Sequence, residues 1–225
     1  MKKILASVLA LALIFSFTAC GKKSDESSQS TSSVSNTTEA VQTENESTSG
    51  KKILIVYFSS TNTSDVDIVS SATPKADGLG STEYIAQHIQ SKVGGDIVKI
   101  TPVKDYPEGY NDTADAAKAE RDRDERPEFV KLSVNPEDYD VIFVGYPMWW
   151  YTLPMIMYTF FDTYDFSGKT VIPFNTHAGS GDGGTYEEIK EFEPDATVLD
   201  GIAVSGSKAG SSDSEIDAWL AGLKY

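Results

Sequence analysis

Residues 52–59 have the sequence KILIVYFS, in which six consecutive apolar residues stand between a lysine and a serine. A run without polar alternation indicates a β-strand that is buried on both faces. Comparable runs follow at residues 96–100, 140–145, 170–174 and 197–204. The stretches between them have the apolar spacing of amphipathic helices, which we place at 81–93, 110–125, 153–164, 185–191 and 213–223. This alternation predicts an α/β fold with one five-stranded parallel sheet, whose ligands bind at the carboxyl ends of the strands.

The composition is acidic and poor in metal-binding side chains. The 225 residues include 34 Asp and Glu against 19 Lys and Arg, which gives a formal net charge of −15. Such a chain lacks the basic surface that contacts phosphates, so we expect no nucleic-acid partner. One cysteine and two histidines exclude an internal disulfide framework and argue against a transition-metal site. No metal is therefore expected.

The N-terminus has the parts of an export signal. Two lysines follow Met1, and the mainly apolar stretch 4–19 is 16 residues long, shorter than the roughly 20 that a spanning helix needs. Cys20 comes next, and the segment resembles the bacterial lipoprotein signal, with Phe17 where that signal usually has Leu. The resemblance implies a signal peptide at 1–19 and lipidation of Cys20, which would anchor the protein outside the cytoplasmic membrane. The alternative is an ordinary secretory signal with an incidental cysteine.

The segment after the cysteine is predicted to be a tether. Fourteen of the 30 residues at 21–50 are Ser or Thr and none is aromatic, so the segment cannot bury enough apolar surface to fold. A flexible coil of that length has a root-mean-square reach of roughly 30 Å. We therefore divide the chain into a signal peptide at 1–19, a lipidated cysteine with its tether at 20–50, and a single domain at 51–225.

Two hydroxyl-rich segments after the first strand are candidates for a phosphate site. Ser59 ends the strand, and the segments Thr61-Asn62-Thr63 and Gly80-Ser81-Thr82 follow, the second directly before the first helix. A helix N-terminus provides free N–H groups and a positive dipole end, both of which favour an anion. Geometry favours the second segment together with Ser59. The alternative interpretation is a polar loop with an ordinary helix cap.

The loop after the third strand is rich in aromatic residues. Its sequence, GYPMWWYTLP at 145–154, includes two Trp and two Tyr, which are costly to expose. Proline stiffens the backbone on both sides of them. This composition is typical of a slot for a flat aromatic ligand, although the same residues could simply cover the core.

The loop after the fourth strand is rich in glycine. Its sequence, NTHAGSGDGG at 175–184, lets the backbone approach a ligand closely. The sequence G-S-G-D-G-G matches the dinucleotide-binding pattern G-x-G-x-x-G. That motif belongs after the first strand of its βαβ unit, so we discount the match. His177 is a candidate proton donor to a bound ring, or a structural residue.

Together the three loops resemble those of the flavodoxin-like family. The motifs that carry the resemblance are IVYFS at 55–59, DYDVIFVGYPMWW at 138–150, FSGKTVIPFNTH at 166–177 and PEGY at 107–110. The resemblance covers residues 51–225 and implies a three-layer sandwich with strand order 2-1-3-4-5 and FMN as cofactor. It implies cofactor contacts at Ser59, Thr61, Ser81, Thr82, Pro147, Met148, Trp149, Trp150, Asn175, Thr176, His177, Gly179, Ser180 and Gly181. The first loop departs from the family, which reads Ser-x-Thr-Gly-Asn-Thr directly into the helix, whereas here an insertion follows Asn62.

Two functional hypotheses follow. In the first, the domain is an FMN-binding redox protein, either an electron carrier or an oxidoreductase that reduces a quinone-like acceptor, with His177 as a catalytic residue. A redox partner protein or that small acceptor would be its partner, besides the membrane reached through the Cys20 anchor. The alternative is a non-catalytic binding lipoprotein that keeps the fold without flavin, which the altered first loop favours. The donor, the acceptor, the stacking Trp and the oligomeric state stay open.

Overall fold

The structure is a computed structural model that describes residues 50–59 and 79–225, which belong to one compact unit. Its strands are β1 (Ile53–Phe58), β2 (Asp96–Ile100), β3 (Val141–Pro147), β4 (Thr170–His177), β5 (Thr197–Val198) and β6 (Ile202–Ser205). Its α-helices are α1 (Ser81–Val93), α2 (Tyr110–Asp122), α3 (Met155–Thr163), α4 (Thr185–Phe192) and α5 (Asp213–Gly222). Short 3-10 turns lie at Pro136–Asp138 and Gly206–Ser211. The predicted signal peptide, Cys20, the tether up to residue 49, and Thr61 lie outside the described residues.

The strands form one parallel sheet in the order β2-β1-β3-β4-β5, with β6 also pairing with β4. This confirms the α/β fold and the strand order predicted from the sequence. Apolar side chains fill both faces of the sheet. Leu54, Val56 and Phe58 belong to one core and the alternate residues of β1 to the other, so the first strand is buried on both faces as predicted.

The fifth strand is interrupted, which corrects the continuous strand predicted at 197–204. Three residues of the chain, 199–201, stand opposite two residues of β4, Ile172 and Pro173. The extra residue forms a bulge, and Pro173 has no N–H to donate across the gap. A β-carbon at Gly201 would lie 2.4 Å from the Pro173 carbonyl oxygen and 2.6 Å from the Tyr186 ring, so the bulge passes close beneath that ring.

The helix boundaries differ slightly from those predicted. Helix α1 has the predicted limits, whereas α2 ends at Asp122, three residues early, and Asp124 has a left-handed φ of 50°. Helix α3 begins at Met155 because Pro154 stands in extended conformation before it. Within the described residues, no helix has both the length and the apolar character needed to cross a membrane.

A partly buried carboxyl group at the end of α4 gives a testable pH dependence. Burial, with the carboxylates of Asp165 and Asp162 nearby, raises the pKa of Glu193 from 4.5 to about 7. The folded protein then keeps a proton that the unfolded chain has lost, so this contribution to stability is full below pH 4.5 and is lost as the pH rises through 7. We expect Glu193→Gln to raise the melting temperature at pH 8 and to change it little at pH 4.

The matched control is Glu191→Gln, which removes an exposed carboxylate from the same helix. Thermal unfolding of both variants between pH 4 and pH 8 provides the comparison. A Glu193→Gln effect that did not grow with pH, or that matched Glu191→Gln at every pH, would contradict the assignment.

Candidate functional site

The predicted site residues that the structure describes lie along one edge of the sheet. Ser59 follows β1, the aromatic loop follows β3, and the glycine loop follows β4. Parallel strands have their carboxyl ends at a common edge, so the three segments lie side by side. The N-terminus of α1 is joined to the same edge by the hydroxyls of Thr82 and Thr176, whose oxygens are 2.8 Å apart.

The end of β1 contains a buried hydroxyl group. Ser59 Oγ is inaccessible to solvent and has no partner among the described residues. The hydroxyl of Ser81, at the first position of α1, donates to the Gly206 carbonyl at 3.1 Å and is likewise buried. The N-cap position of the helix is Gly80, a residue without a side chain to cap it. A buried polar atom without a partner costs free energy, and a phosphate oxygen beside a helix N-terminus would supply that partner. The residues at this end therefore fit a phosphate.

The aromatic loop forms a tight hairpin. The backbone N–H of Trp149 donates to Thr152 at 3.1 Å, and the N–H of Thr152 donates back to Trp149 at 3.2 Å. The two central residues, Trp150 and Tyr151, have φ values of 52° and 66°. Positive φ at both positions is typical of the type I′ hairpin turn, which Asn and Gly usually occupy. Two bulky residues in that conformation store backbone strain, and such strain clusters at ligand sites.

The two tryptophans have different surroundings. The Trp149 ring contacts Phe58 and Tyr106 edge to face, with centroids 5.3 and 4.9 Å apart. The Trp150 ring is 40% exposed, its Nε1–H donates to the Ala114 carbonyl at 2.8 Å, and the Arg121 guanidinium lies over it at 5.6 Å. Trp149 is therefore part of an aromatic cluster at the end of β1, whereas Trp150 is fixed to α2.

The glycine loop packs directly against the hairpin. A β-carbon at Gly183 would lie 2.6 Å from the Met148 methyl group and 3.1 Å from the Tyr151 carbonyl oxygen. Met148 is buried, and its N–H donates to the Thr176 carbonyl at 2.7 Å, which extends the pairing of β3 with β4 beyond Pro147. Gly183 also has a φ of 59°, so close approach and backbone conformation both require glycine here.

His177 lies at the end of β4, and its ring forms a hydrogen bond within the glycine loop. Its Nδ1 accepts a hydrogen bond from the Gly179 N–H at 2.9 Å, so the ring proton of the neutral form is on Nε2. Burial lowers the pKa of His177 below its ordinary 6.5, although a hydrogen bond with the Ala203 backbone and the charge of Asp182 act in the opposite direction. The imidazole is neutral at pH 7 and shapes the turn at Ala178, Gly179 and Ser180. Its catalytic role stays a prediction.

Asn175 and Thr176 are fully buried, with their polar atoms bonded within the protein. Asn175 Nδ2 donates to the Gly181 carbonyl at 3.0 Å, and its Oδ1 accepts from the Tyr186 hydroxyl at 2.5 Å. Asn175 therefore supports the glycine loop, whereas Thr176 joins the end of β4 to α1. No cluster of His, Cys, Asp or Glu that could hold a metal occurs in the described part of the chain.

The family model named Flavodoxin matches residues 52–223, about three quarters of the sequence. The chain belongs to the flavodoxin family. No curated protein sequence is significantly similar to it.

Solved structures resemble this flavodoxin-family domain over nearly their whole length. A candidate flavoprotein from Bacteroides eggerthii is 28% identical, with a TM-score of 0.59, and the match covers 77% of this chain and 99% of that one. One from Bacteroides uniformis is also 28% identical, with a TM-score of 0.60 and coverage of 76% and 98%. A flavoprotein from Lactobacillus acidophilus, solved in complex with FMN, shares the fold at 21% identity and a TM-score of 0.53, over 76% and 99% of the two chains.

Several residues of this flavodoxin-family site were not predicted as site residues. Tyr106 packs on Trp149, and Tyr151 is 75% exposed at the tip of the hairpin. Tyr146 and Tyr186 lie beneath the glycine loop. Tyr146 and Tyr151 belong to the aromatic run at 145–154, which could have indicated them, whereas Tyr106 and Tyr186 stand in segments that carry no such signal.

Proposed function

We propose that this domain is an FMN-binding redox protein. The observation that carries the proposal is the buried hydroxyl of Ser59, which has no partner among the described residues, on the sheet edge where the aromatic loop, the glycine loop and the N-terminus of α1 also lie. Membership in the flavodoxin family and the likeness to candidate flavoproteins at 28% identity support the same cofactor. The first loop, whose insertion favoured a flavin-free binding protein, thus keeps a phosphate-compatible end.

Each part of the edge has a distinct role in the proposal. Ser59, Ser81 and Thr82 would hold the phosphate. The hairpin with Trp149 and Trp150 and the loop 177–181 would hold the ring. FMN supplies one-electron or two-electron redox chemistry when bound, and the protein's part is to position the ring and limit its contact with water.

Charge would influence the direction of that chemistry. Residues 51–225 carry 15 basic and 29 acidic side chains, a net charge of −14. A negative environment disfavours the anionic form of a reduced ring, so we expect a low potential, with the size of the effect limited by salt screening. His177 shares its loop with the proposed ring site, and its Nδ1 already accepts the Gly179 N–H, so any proton it donates would come from Nε2. This arrangement suits an electron carrier at least as well as a reductase of quinone-like acceptors.

The proposal also includes a cellular location for the domain. With a lipid on Cys20 and the tether up to residue 50, the domain would work outside the cytoplasmic membrane, where a membrane or protein donor is more available than NAD(P)H. Metabolic labelling with a radioactive lipid precursor tests the anchor, because an unlabelled product would show simple secretion.

The visible absorption spectrum of the purified domain tests the cofactor. We expect the two bands of oxidised flavin, either as purified or after FMN is added to the apoprotein. A colourless protein that takes up no FMN would overturn the proposal. Two assays separate the two modes. Steady turnover of a quinone with a two-electron donor indicates a reductase, whereas single-electron exchange between the reduced domain and a protein indicates a carrier.

Ser59→Ala gives a sharper prediction. The variant should bind FMN more weakly, by about 1 kcal/mol or more, because a hydrogen bond to the charged phosphate is lost. Affinity for riboflavin, which has no phosphate, should not change. The apoprotein should be no less stable than the parent, since the hydroxyl that is removed is buried and has no partner among the described residues. Isothermal titration with both ligands and denaturant unfolding measure the three quantities.

The matched control is Ser212→Ala. Ser212 is also buried, but its hydroxyl donates to the Lys208 carbonyl at 2.9 Å before α5. We expect this variant to lose about 1 kcal/mol of stability and to bind FMN normally. Equal FMN and riboflavin losses in Ser59→Ala would remove Ser59 from the phosphate site.

A further inference from the structure

Two chains of hydrogen bonds link tyrosine side chains to the glycine loop, and each can run in one direction only. In the first, Tyr186 reaches Asn175, and Asn175 reaches the carbonyl of Gly181. A carbonyl oxygen can only accept, so the amide nitrogen of Asn175 must face Gly181. Its amide oxygen then faces Tyr186, and the Tyr186 hydroxyl must donate.

The second chain of hydrogen bonds also has a fixed direction, and it runs from Tyr146 through Thr185 to the carbonyl of Asp182. Thr185 Oγ1 lies 2.6 Å from the carbonyl oxygen of Asp182 and must donate to it. A hydroxyl has one proton, so Thr185 can only accept from Tyr146, whose hydroxyl lies 2.8 Å away. Tyr146 is fully buried on β3 and Tyr186 is partly buried on α4.

Both chains end on consecutive carbonyls of the glycine loop, and this fixes the orientation of two peptide planes. In a trans peptide the N–H points opposite to the C=O. With the Gly181 and Asp182 carbonyls held inward, the N–H groups of Asp182 and Gly183 point away from the buried side chains. In the described part of the chain, the Asp182 N–H forms no hydrogen bond. The Asp182 carbonyl also accepts the Thr185 N–H at 3.0 Å, so a backbone bond and a side-chain bond hold that peptide together. The Gly181 carbonyl is held by the Asn175 side chain. These bonds restrict the conformational freedom that glycine at 181 and 183 gives the backbone.

We propose that Tyr146 and Tyr186 are positioning residues that aim the backbone N–H groups of Asp182 and Gly183 outward, as fixed donors to the polar edge of the bound ring. They act through Thr185 and Asn175 and touch no ligand themselves. This inference rests on the proposed function for its ligand, but the orientation of the loop is a property of the apoprotein. Asn175, predicted from the sequence as a cofactor contact, becomes the link between Tyr186 and the loop.

The experiment measures the carbonyl carbon shifts of Gly181 and Asp182 by NMR in the ligand-free domain. Tyr186→Phe is expected to move the Gly181 carbonyl resonance upfield and Tyr146→Phe the Asp182 resonance, because the side-chain donor to each carbonyl, Asn175 or Thr185, loses the tyrosine bond that holds it in place. The Asp182 shift should be the smaller one, since the Thr185 N–H still donates to that carbonyl. The control is Tyr139→Phe, a buried tyrosine whose hydroxyl donates to Asp96 at 2.6 Å, beside the start of β3 at the opposite edge of the sheet. It should leave both resonances in place.

Titration with FMN is the second readout, and we expect each Phe variant at 146 and 186 to bind about threefold to tenfold more weakly than Tyr139→Phe. Thr185→Val should reproduce the Tyr146→Phe effects. Thr185→Ser, which keeps the hydroxyl, should have the Asp182 carbonyl shift and the FMN affinity of the parent domain. These two variants keep the test decisive if a tyrosine variant fails to fold. Unchanged carbonyl shifts, or losses equal to those of Tyr139→Phe, would overturn the positioning role. A parent domain that binds no FMN would overturn the proposed function, while the shifts would still decide the orientation of the loop.

Discussion

Replacing Gly145 with alanine is expected to lower the free energy of unfolding by about 3 kcal/mol. Gly145 lies in β3 between Tyr57 of β1 and Phe174 of β4, in the middle of the sheet. A β-carbon there would lie 2.1 Å from the Phe174 ring, which is fully buried and covers the glycine. The ring can move only by displacing its own core neighbours, because protein interiors are close-packed. Denaturant unfolding measures the loss.

The control for this variant is Gly222→Ala. Gly222 ends helix α5, has no atom within 4 Å of the position that a β-carbon would take, and is not in the left-handed region. Alanine there should leave stability unchanged or raise it by up to about 1 kcal/mol, since glycine is a poor helix former. Similar effects of the two substitutions would mean that the Phe174 ring has room to shift. The double variant Gly145→Ala with Phe174→Leu should recover part of the loss, because the shorter side chain relieves the overlap.

Replacing Trp149 with alanine is expected to reduce both stability and cofactor binding. The stability loss should be about 2–4 kcal/mol, because the ring packs against Phe58 and Tyr106 and leaves a cavity when removed. FMN affinity should fall by roughly 1–3 kcal/mol if this ring contacts the flavin. Calorimetric unfolding of the apoprotein and fluorescence titration with FMN separate the two effects.

Trp150→Ala is the comparison that distinguishes the two tryptophans. Its ring is partly exposed and contributes a hydrogen bond to Ala114 and a contact with Arg121, so we expect a stability loss of no more than about 1 kcal/mol. A Trp150→Ala variant that lost more FMN affinity than Trp149→Ala would identify Trp150 as the stacking residue. Parental affinity in both single variants and in the double variant would remove both rings from the site.

The fold could be predicted because the patterns that indicate its strands and helices each lie within a short stretch of sequence. β1 and β3 are apolar runs that are buried along their whole length, and the helical stretches between the strands imply parallel connections. The bulge at 199–201 could not be predicted in this way, because it depends on a contact between Gly201 and Tyr186, which belongs to another element. The apolar letters on both sides of the bulge suggested a single strand.

The site was predictable as a set of loops and less so as a set of contacts. Strand ends and unusual composition indicated the loops after β1, β3 and β4. Sequence could not show that the Asn175 side chain is bonded on both sides, that Trp150 is fixed to α2, or that Ser59 lacks a partner among the described residues, since each depends on atoms far away in the chain. The hydrogen bonds that Tyr146 and Tyr186 donate could not be predicted for the same reason.

The parallel arrangement of the strands also determines at which edge of the sheet the predicted tether would join the domain. The chain enters β1 at Ile53, at the amino end, whereas the proposed site lies along the carboxyl ends. A strand of six to eight residues separates these two edges by roughly 20–25 Å. With Cys20 as the anchor, the tether would attach at the edge remote from the cofactor, and an incoming partner would approach the site without meeting the attachment point.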